Sequence, residues 1–296
     1  MNNKLNAMAT FLRVAEAGSF SAAARQIGMK QSAVSQQIAA LEAELGVVLF
    51  RRTTRVMMLT EQGERYRRDI KPLLDAIREA ERALNPGDQQ WQGTVRVQLP
   101  SGLGRLFLPH LLALQKSHAG LHLELLLDDR IADLVSEGVD VAVRLAGKPP
   151  DLHAVRMLGR VTSGLYAAPG FKQIHSVDEL TQLPHIRFSG LALDRPLQLV
   201  SGEEAIELEV NTVFRANTSE GLIAAIQAGI GIGGIQHPLA TEGLASGLLV
   251  PVLPTWRLPD RFLYAIFPDA RFIPPSVRGV VDVIAQLLPQ LVGIHS

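Results

Sequence analysis

The sequence predicts an α+β multidomain protein, with a helical N-terminal part and an α/β C-terminal part. Residues 4 to 84 carry amphipathic helical patterns and almost no strand-like alternation. From Trp91 onward, short β-branched runs alternate with helical patterns. Between the two parts, Asn85-Pro86-Gly87-Asp88 is a strong helix stop, because Pro cannot continue a helix and Gly takes the left-handed cap. A chain of 296 residues has room for two domains.

Composition limits the class of protein. Hydrophobic residues make up 47% and charged residues 20%, and 29 Lys+Arg balance 29 Asp+Glu, which excludes a disordered chain or a polycation. There is neither a long uninterrupted apolar window nor an apolar N-terminal signal, so we expect a cytoplasmic protein that makes no membrane contact. The absence of Cys excludes disulfides, thiolate metal sites and cysteine nucleophiles. We expect no cofactor and no metal.

The neutral net charge hides an asymmetry. The first 72 residues hold 11 Lys+Arg against 6 Asp+Glu, so the N-terminal part is basic. A basic part of this kind indicates either a nucleic-acid partner or an ordinary solvated face.

Three short helices are predicted in the basic part. The first ends at Gly18, the second begins at Ser19 or Ser21, and it ends at Gly28, where the missing side chain permits a sharp turn with positive φ. The first helix has apolar residues at helical spacing, and the third has one apolar stripe: Leu5, Met8, Phe11, Leu12 and Ala15, then Val34, Ile38, Leu41 and Leu45. Two helices joined at a glycine fit a helix-turn-helix.

The face opposite this stripe carries small or amide-bearing residues. We predict that Gln31, Ser32, Ser35 and Gln36 contact base edges in the DNA major groove. Gln36 is the strongest candidate, because a glutamine amide both donates to and accepts from adenine. A plain three-helix bundle with a solvated polar face fits the pattern equally well.

A short hairpin is predicted over Leu49 to Leu59, with basic and hydroxyl residues at its tip, which is typical of a wing. Its expected contacts to phosphates or the minor groove are Arg51, Arg52, Thr53 and Arg55. Thr60 then caps a long helix, in which Pro72 is expected to produce a kink. An apolar seam on this helix predicts a homodimer: Tyr66, Ile70, Leu73, Ile77 and Leu84.

Several segments in fixed register closely resemble the N-terminal domain of LysR-type transcriptional regulators: Phe11 to Phe20, Ala22 to Ala24, Gln31 to Ser35, Ile38, Leu41 to Glu42, Leu45 to Gly46, Leu49 to Arg52 and Leu59 to Gly63. The resemblance implies a winged helix-turn-helix in residues 1–60, a dimerising linker helix in 61–88 and an effector-binding domain in 89–296. It also implies double-stranded DNA with a dyad-like operator, a homodimer or homotetramer, and RNA polymerase as a further partner. Lys30 stands where the family usually has a small hydroxyl residue, which leaves Ser32 as the helix cap or Lys30 as a phosphate contact.

The C-terminal part shows βαβ alternation, which predicts a parallel sheet. The predicted strands are Thr94 to Leu99, Leu121 to Leu127, Val139 to Leu145, Ile230 to Ile235 and Arg261 to Phe267. The predicted helices are Leu106 to Gln115, Ile131 to Glu137, Ser219 to Ala228 and Val277 to Leu288, and we expect the last to pack on the first unit. Composition and the resemblance suggest a periplasmic-binding-protein-like domain. Its subdomains are 89–163 with 267–296, and 164–266, joined by two crossover strands.

A ligand cleft is expected between these subdomains. Ser101 follows the first predicted strand and Asn217 precedes a predicted helix, so both stand at helix N-termini. Free N–H groups and hydroxyls at such ends attract anions. Simple helix capping explains the same residues. Asp128 would repel an anion unless Arg130 or Arg144 neutralised it. The expected contacts to a small polar or anionic metabolite are Ser101, Gly102, Asp128, Arg144, Asn217 and Ser219.

Together these observations predict a sequence-specific DNA-binding transcriptional regulator that responds to a small-molecule effector. The segment Gly229 to Gly234 matches a dinucleotide-binding pattern, but it follows a helix and opens a strand, the reverse of the required order. We therefore expect no enzyme. Two alternatives remain: a ligand-binding or enzymatic α/β protein with an appended dimerisation helix, and an architectural DNA-binding protein without a ligand.

Overall fold

The computed structural model describes residues 2–52, 57–83, 91–130, 133–151, 154–192, 194–268 and 273–295. It divides into two compact units. Residues 1–89 form most of the N-terminal unit, and residues 90–270 with 275–296 form the C-terminal unit. None of the helices in these described ranges is long and apolar enough to cross a membrane.

The N-terminal unit consists of helices followed by a small hairpin and a long helix. Its elements are α1 (Asn2–Ala17), α2 (Phe20–Gln26), α3 (Gln31–Leu45), β1 (Phe50–Arg52), β2 (Met57–Leu59) and α4 (Glu61–Ala83), with β1 and β2 antiparallel. Gly18 and Gly28 both have φ of 67°, and the Ser19 hydroxyl accepts the N–H of Ala22 at 3.1 Å. The predicted glycine turns are therefore confirmed, and of the two predicted start positions of the second helix, Ser19 is the one that caps it.

A single apolar core holds this unit together. Phe11 is fully buried, and its ring centroid lies 5.2 Å from that of Phe50 and 5.5 Å from that of Tyr66. The hairpin and α4 thus both pack on α1. The Thr60 hydroxyl accepts the N–H of Gly63 at 2.9 Å and caps α4 as predicted. The α4 helix is assigned without interruption from Glu61 to Ala83, so Pro72 does not end it.

The C-terminal unit alternates strands and helices. Its first elements are β3 (Gln92–Leu99), α5 (Ser101–Ser117), β4 (Gly120–Leu127), β5 (Val141–Ala146) and β6 (Ala154–Ala167). There follow β7 (Pro184–Phe188), β8 (Leu197–Ser201), β9 (Glu204–Leu208), β10 (Asn211–Ala216), α6 (Ser219–Gln227), β11 (Ile232–Gln236), α7 (His237–Ala245), β12 (Val250–Phe267), α8 (Pro275–Leu287) and β13 (Ile294–His295).

The strands form one mixed sheet in the order β10-β7-β11-β6-β12-β5-β3-β4, with β8, β9 and β13 attached beside it. Parallel pairing joins β3 to β4 and β5, and β7 to β10 and β11. The long strands β6 and β12 pair antiparallel with each other. In addition, β6 pairs with β11, and β12 pairs with β5. They are the two predicted crossover strands. The α8 helix packs on α5 and β3, as expected.

One predicted helix is wrong in its described part. Residues 134–138 form turns, because the Asp133 carboxylate accepts the N–H groups of Val135 and Ser136, and Gly138 takes a φ of 65°. An aspartate that binds nearby backbone N–H groups competes with helix formation. By contrast, α5 is longer than predicted, because it begins at Ser101, five residues before the predicted start at Leu106.

Candidate nucleic-acid interface and ligand cleft

The α3 helix has one apolar and one polar face. Val34, Ile38 and Leu41 are at most 1% exposed and form its buried stripe. On the opposite side Gln31, Ser32 and Gln36 are exposed and Ser35 is half-buried, together with the exposed Ala39, Ala40 and Ala43. Because these neighbours are small, another molecule can approach the helix backbone closely. The predicted division of the helix into two faces is confirmed.

A groove runs beside Gln36, between α1 and α3. It encloses about 320 Å³ and is bordered by Gln36, Met29 and the Lys4–Glu44 ion pair, whose Nζ and Oε1 are 2.6 Å apart. Within it, the Thr10 hydroxyl donates to Gln37 Oε1 at 3.0 Å. Gln37 is therefore held by its own chain, whereas Gln36 is open to a partner.

The N-terminus of α3 has no side-chain cap. Lys30 occupies the N-cap position in an extended conformation, is exposed, and makes no capping hydrogen bond through its side chain. The Ser32 side chain makes no hydrogen bond to any residue that the structure describes, so it does not replace the missing cap. An exposed helix end with free N–H groups and a Lys is suited to a phosphate.

The hairpin is fixed at its base by side chains. The Glu42 carboxylate accepts the N–H groups of Leu49 at 2.7 Å and Phe50 at 3.1 Å, and the Thr60 hydroxyl donates to Val48 O at 2.6 Å. Sequence reasoning missed this role of Glu42, although its fixed distance from Leu49 in the resembling segments was a usable signal. Arg51 is exposed, as a phosphate contact requires. Thr53, Arg55 and the Arg52 side chain lie outside the described residues.

The predicted apolar seam of α4 separates into a buried part and an exposed part. Tyr66 is half-buried and Ile70 is 4% exposed, and both pack in the core of the N-terminal unit together with Leu74. Ile70 is therefore already covered by its own chain and Tyr66 is covered in part, while their place in a subunit contact remains a prediction. Leu73 and Ile77 remain 60% and 38% exposed. The cause is packing within the unit, because Tyr66, Ile70 and Leu74 contact the apolar core that includes α1, whereas Leu73 and Ile77 do not. Leu84 lies outside the described residues.

In the C-terminal unit, the N-terminus of α5 is closed by a carboxylate. Asp129, in the loop after β4, accepts the Ser101 N–H at 3.2 Å through Oδ1 and the Ser101 hydroxyl through Oδ2. Burial raises the pKa of Asp129, and the negative charges of Glu220 and Asp128 raise it further. The two hydrogen bonds from Ser101 lower this pKa, but the net shift is upward. The Ser101 donors predicted for a ligand are thus engaged by the chain itself. Sequence reasoning named Asp128 and missed its neighbour.

The N-termini of α5 and α6 lie against each other. A Cβ on Gly102 would lie 2.9 Å from Ser219 Oγ and 2.6 Å from Leu239 Cδ1, so a side chain cannot be accommodated there without a shift. Arg105 and Glu220 also approach across this boundary, with Nη1 and Oε1 3.6 Å apart. The structure therefore brings Ser101, Gly102 and Ser219 together, as predicted.

The cap of α6 is Thr218, whose hydroxyl accepts the N–H of Gly221 at 3.2 Å. Asn217 precedes it and is exposed. The Asn217 side chain is thus not the group that caps the helix, and its predicted contact to an effector remains a prediction.

Asp128 and Arg144 have separate partners. Asp128 forms an ion pair with Arg130, and although burial would raise the pKa of Asp128, the hydrogen bonds and charge of Arg130 hold it below its usual value. Arg144 Nη2 instead donates to Gln98 Oε1 at 3.2 Å, and burial lowers the pKa of Arg144. Of the two proposed neutralising residues, Arg130 is therefore the one that faces Asp128.

The described residues contain no group of three or more His, Asp or Glu side chains placed to hold a metal ion. His118 and His122 are spaced by four residues, but His118 stacks on Trp91, with ring centroids 4.4 Å apart.

Comparison with known proteins identifies both parts of the chain. Residues 5–64 match the bacterial regulatory helix-turn-helix protein, lysR family, and residues 88–289 match the LysR substrate binding domain. An HTH-type transcriptional repressor of Pseudomonas aeruginosa is 33% identical, over 97% of this chain and 93% of its own length. The Escherichia coli HTH-type transcriptional regulator DmlR is also 33% identical, over 97% of this chain and 95% of its own.

Solved structures show the same arrangement of elements. The full-length virulence activator AphB of Vibrio cholerae is 26% identical, with a TM-score of 0.57 over 96% of this chain and 99% of its own. CrgA, a LysR-type transcriptional regulator of Neisseria meningitidis, is 25% identical, with a TM-score of 0.56 over 95% of this chain and 98% of its own. With a helix-turn-helix at one end, an α/β domain at the other and matches over nearly its whole length, the chain belongs to the LysR family and is a DNA-binding transcriptional regulator with an effector-binding domain.

Proposed function

We propose that this regulator recognises its operator through the exposed face of α3, with Gln36 as the main base contact and Gln31, Ser32 and Ser35 beside it. The observation that carries the proposal is the division of α3, which buries Val34, Ile38 and Leu41 and leaves Gln36 exposed among small residues. A glutamine amide in this setting can form a bidentate pair with adenine in the major groove.

Sequence-independent affinity comes from phosphate contacts in the same proposal. Lys30 stands at the uncapped N-terminus of α3, and Arg51 is exposed at the end of β1. Arg52, Thr53 and Arg55 follow it along the hairpin in sequence. Each phosphate neutralised by such a residue makes the affinity fall more steeply with salt.

The operator is dyad-like and the protein is a homodimer that contacts its partner through Leu73 and Ile77, with a homotetramer formed by further contacts. These two apolar side chains are exposed on a helix whose neighbouring residues Ile70 and Leu74 are buried. An apolar stripe of this spacing is stabilised by packing on a second helix. The regulator acts in the cytoplasm, with RNA polymerase as a further partner, and has no enzymatic activity, in line with the regulator relatives.

The effector is a small polar metabolite bound where the N-termini of α5 and α6 meet. Supporting residues are Ser101, Gly102 and Ser219, which the fold brings together, and the further contacts in this proposal are Asn217, Asp128 and Arg144. Because Asp129 already engages the Ser101 donors, a polar ligand that donates a hydrogen bond to Asp129 fits better than an anion. An anionic ligand would have to displace this carboxylate or bind it in its protonated form.

Selection of DNA ligands tests the proposal. The full-length protein is used to enrich binding sites from random double-stranded DNA, and the selected sequences are aligned and competed against unselected DNA. We expect a sequence with dyad symmetry that binds at least about 10³-fold more tightly than unselected DNA. Failure to enrich any sequence would indicate an architectural DNA-binding protein and contradict base recognition by α3.

A further inference from the structure

A half-buried glutamine lies beside the α3 face for which base contacts are proposed. Gln37 follows Gln36 in sequence, and successive residues of an α-helix are turned by about 100°, so the two side chains leave α3 in different directions. Gln37 reaches α1, where the Thr10 hydroxyl donates to its Oε1 at 3.0 Å. Thr10 is only 6% exposed, so this hydrogen bond is shielded from water. The acceptor of the Gln37 amide is therefore used within the chain.

The donors of the same amide are free. Within the described part of the chain, Gln37 Nε2 has no hydrogen-bond partner. A glutamine amide carries one acceptor oxygen and two N–H donors, and with Oε1 bound to Thr10, Gln37 offers only donors to another molecule. It therefore cannot form the donor-and-acceptor pair with adenine that is proposed for Gln36. Its best partner is a group that only accepts hydrogen bonds.

The Gln37 side chain borders the groove between α1 and α3, which encloses about 320 Å³. Much of the groove is lined by small or apolar side chains, among them Met29, Ala33 and Ala40. Lys4, the cationic side chain of the lining, is already paired with Glu44, with Nζ and Oε1 2.6 Å apart. A free anion would therefore gain little from this groove. A phosphate that a larger interface already holds in place needs only a donor there.

The groove is continuous with the proposed DNA contact, because Gln36 also borders it. Side chains that face the base edges are flanked on a recognition helix by side chains that face the sugar-phosphate backbone. We propose that the groove between α1 and α3 receives one sugar-phosphate unit of the DNA and that Gln37 Nε2 donates to its phosphate oxygen. Met29 and the alanine methyl groups contact the deoxyribose. Thr10 is a positioning residue, which orients the Gln37 amide and does not touch DNA.

This inference rests on the proposed placement of α3 in the major groove, and its first test is a change of hydrogen-bonding type. Gln37→Glu retains the shape of the side chain and still accepts the Thr10 hydroxyl, but it replaces the donors by a carboxylate that repels phosphate. Anisotropy titrations of the full-length protein use the selected operator and unselected double-stranded DNA. We expect Gln37→Glu to weaken binding to both DNAs about tenfold or more, and Gln37→Ala about three- to tenfold.

The matched control is Gln62→Glu, which adds the same charge at an exposed position on α4. We expect the control to bind both DNAs within about twofold of wild type, because charges more than about 8 Å apart are largely screened at physiological salt. Wild-type affinity of Gln37→Glu for both DNAs would overturn the proposal. A loss confined to the operator would assign Gln37 to a base edge and overturn the phosphate contact.

The contacted phosphate is located with operators in which single phosphates are replaced by methylphosphonates, which lack the charged oxygen. We expect one position in each half-site at which the replacement weakens wild type about three- to tenfold and does not weaken Gln37→Ala further. The same sensitivity of the two proteins at every position would overturn the contact. Titrations with unselected DNA decide the proposal even when no operator can be selected, so its failure is distinguishable from the failure of base recognition by α3.

The role of Thr10 is tested by a double-mutant cycle. Thr10→Val keeps the shape of the side chain and removes the hydroxyl, whereas Thr10→Ser keeps the hydroxyl. We expect Thr10→Val to weaken binding to both DNAs about two- to fivefold, to have no further effect in Gln37→Ala, and Thr10→Ser to bind as wild type does. Thermal unfolding verifies that each variant is folded. An equal effect of Thr10→Val with and without Gln37 would make Thr10 a structural residue of α1 and overturn its positioning role.

Discussion

The N-terminal ends of α3 and α5 differ in whether the chain itself supplies a hydrogen-bond partner. At α3 the N-cap is Lys30, which is exposed and supplies no capping hydrogen bond. At α5 a buried Ser101 gives both its N–H and its hydroxyl to the Asp129 carboxylate. The same contrast appears on α4, where Leu73 and Ile77 stay exposed while Ile70 is buried. For the groups that the chain leaves open we propose external partners, namely DNA at the end of α3 and a second subunit on α4.

The largest effect is expected at the exposed apolar residues. Ile77→Asp should abolish dimer formation, because a charge would be buried without a partner in the subunit contact. Sedimentation of the full-length protein measures the change, and Glu81→Asp, on the same helix and also exposed, is the control. A variant that remains dimeric would show that Ile77 faces solvent in the assembly.

At the closed end of α5, Asp129→Ala should lower the free energy of unfolding by about 1 to 3 kcal/mol, because the Ser101 donors lose their acceptor in a buried setting. Denaturant unfolding measures the loss. Asp151→Ala, at an exposed position, is expected to change stability by less than about 0.5 kcal/mol. Equal stability of the two variants would mean that Asp129 does not close this helix end.

At the open end of α3, Lys30→Ser should have two opposite effects. A serine supplies the missing cap, so we expect the free energy of unfolding to rise by about 0.5 to 2 kcal/mol. Loss of one phosphate contact should reduce the slope of log affinity against log salt by about one unit. Anisotropy titrations at several salt concentrations measure the slope. A variant that is more stable but has an unchanged slope would show that the helix end of the wild type is uncapped and that Lys30 does not contact DNA.

A smaller effect concerns pH. Burial raises the folded-state pKa of Asp129 above its ordinary value, so the protonated form is favoured by folding. The resulting stability is present below the unfolded pKa and is lost as pH rises through the folded pKa. Wild type should therefore lose stability relative to Asp129→Asn as the pH is raised from about 4. Parallel stability curves for the two proteins would show that the Asp129 pKa is not raised.

Local patterns predicted much of the N-terminal unit. The glycines after α1 and α2 and the stripe of α3 depend on residues close in sequence, and all were predicted correctly. By contrast, the pairing of Ser101 with Asp129 spans 28 residues and depends on how β3 and β4 align. On α4, Ile70 and Ile77 have the same side chain, and only packing against α1 distinguishes the buried one from the exposed one. Sequence periodicity contains no information on such long-range contacts.

The central claim is that the exposed face of α3 recognises base sequence through Gln36. Gln36→Ala and the control Gln62→Ala, exposed on α4, are titrated against the selected operator and against unselected DNA. We predict that Gln36→Ala weakens operator binding by about 1 to 3 kcal/mol and leaves binding to unselected DNA nearly unchanged, while the control behaves as wild type on both. Equal losses on the two DNAs, or no loss on the operator, would contradict the account.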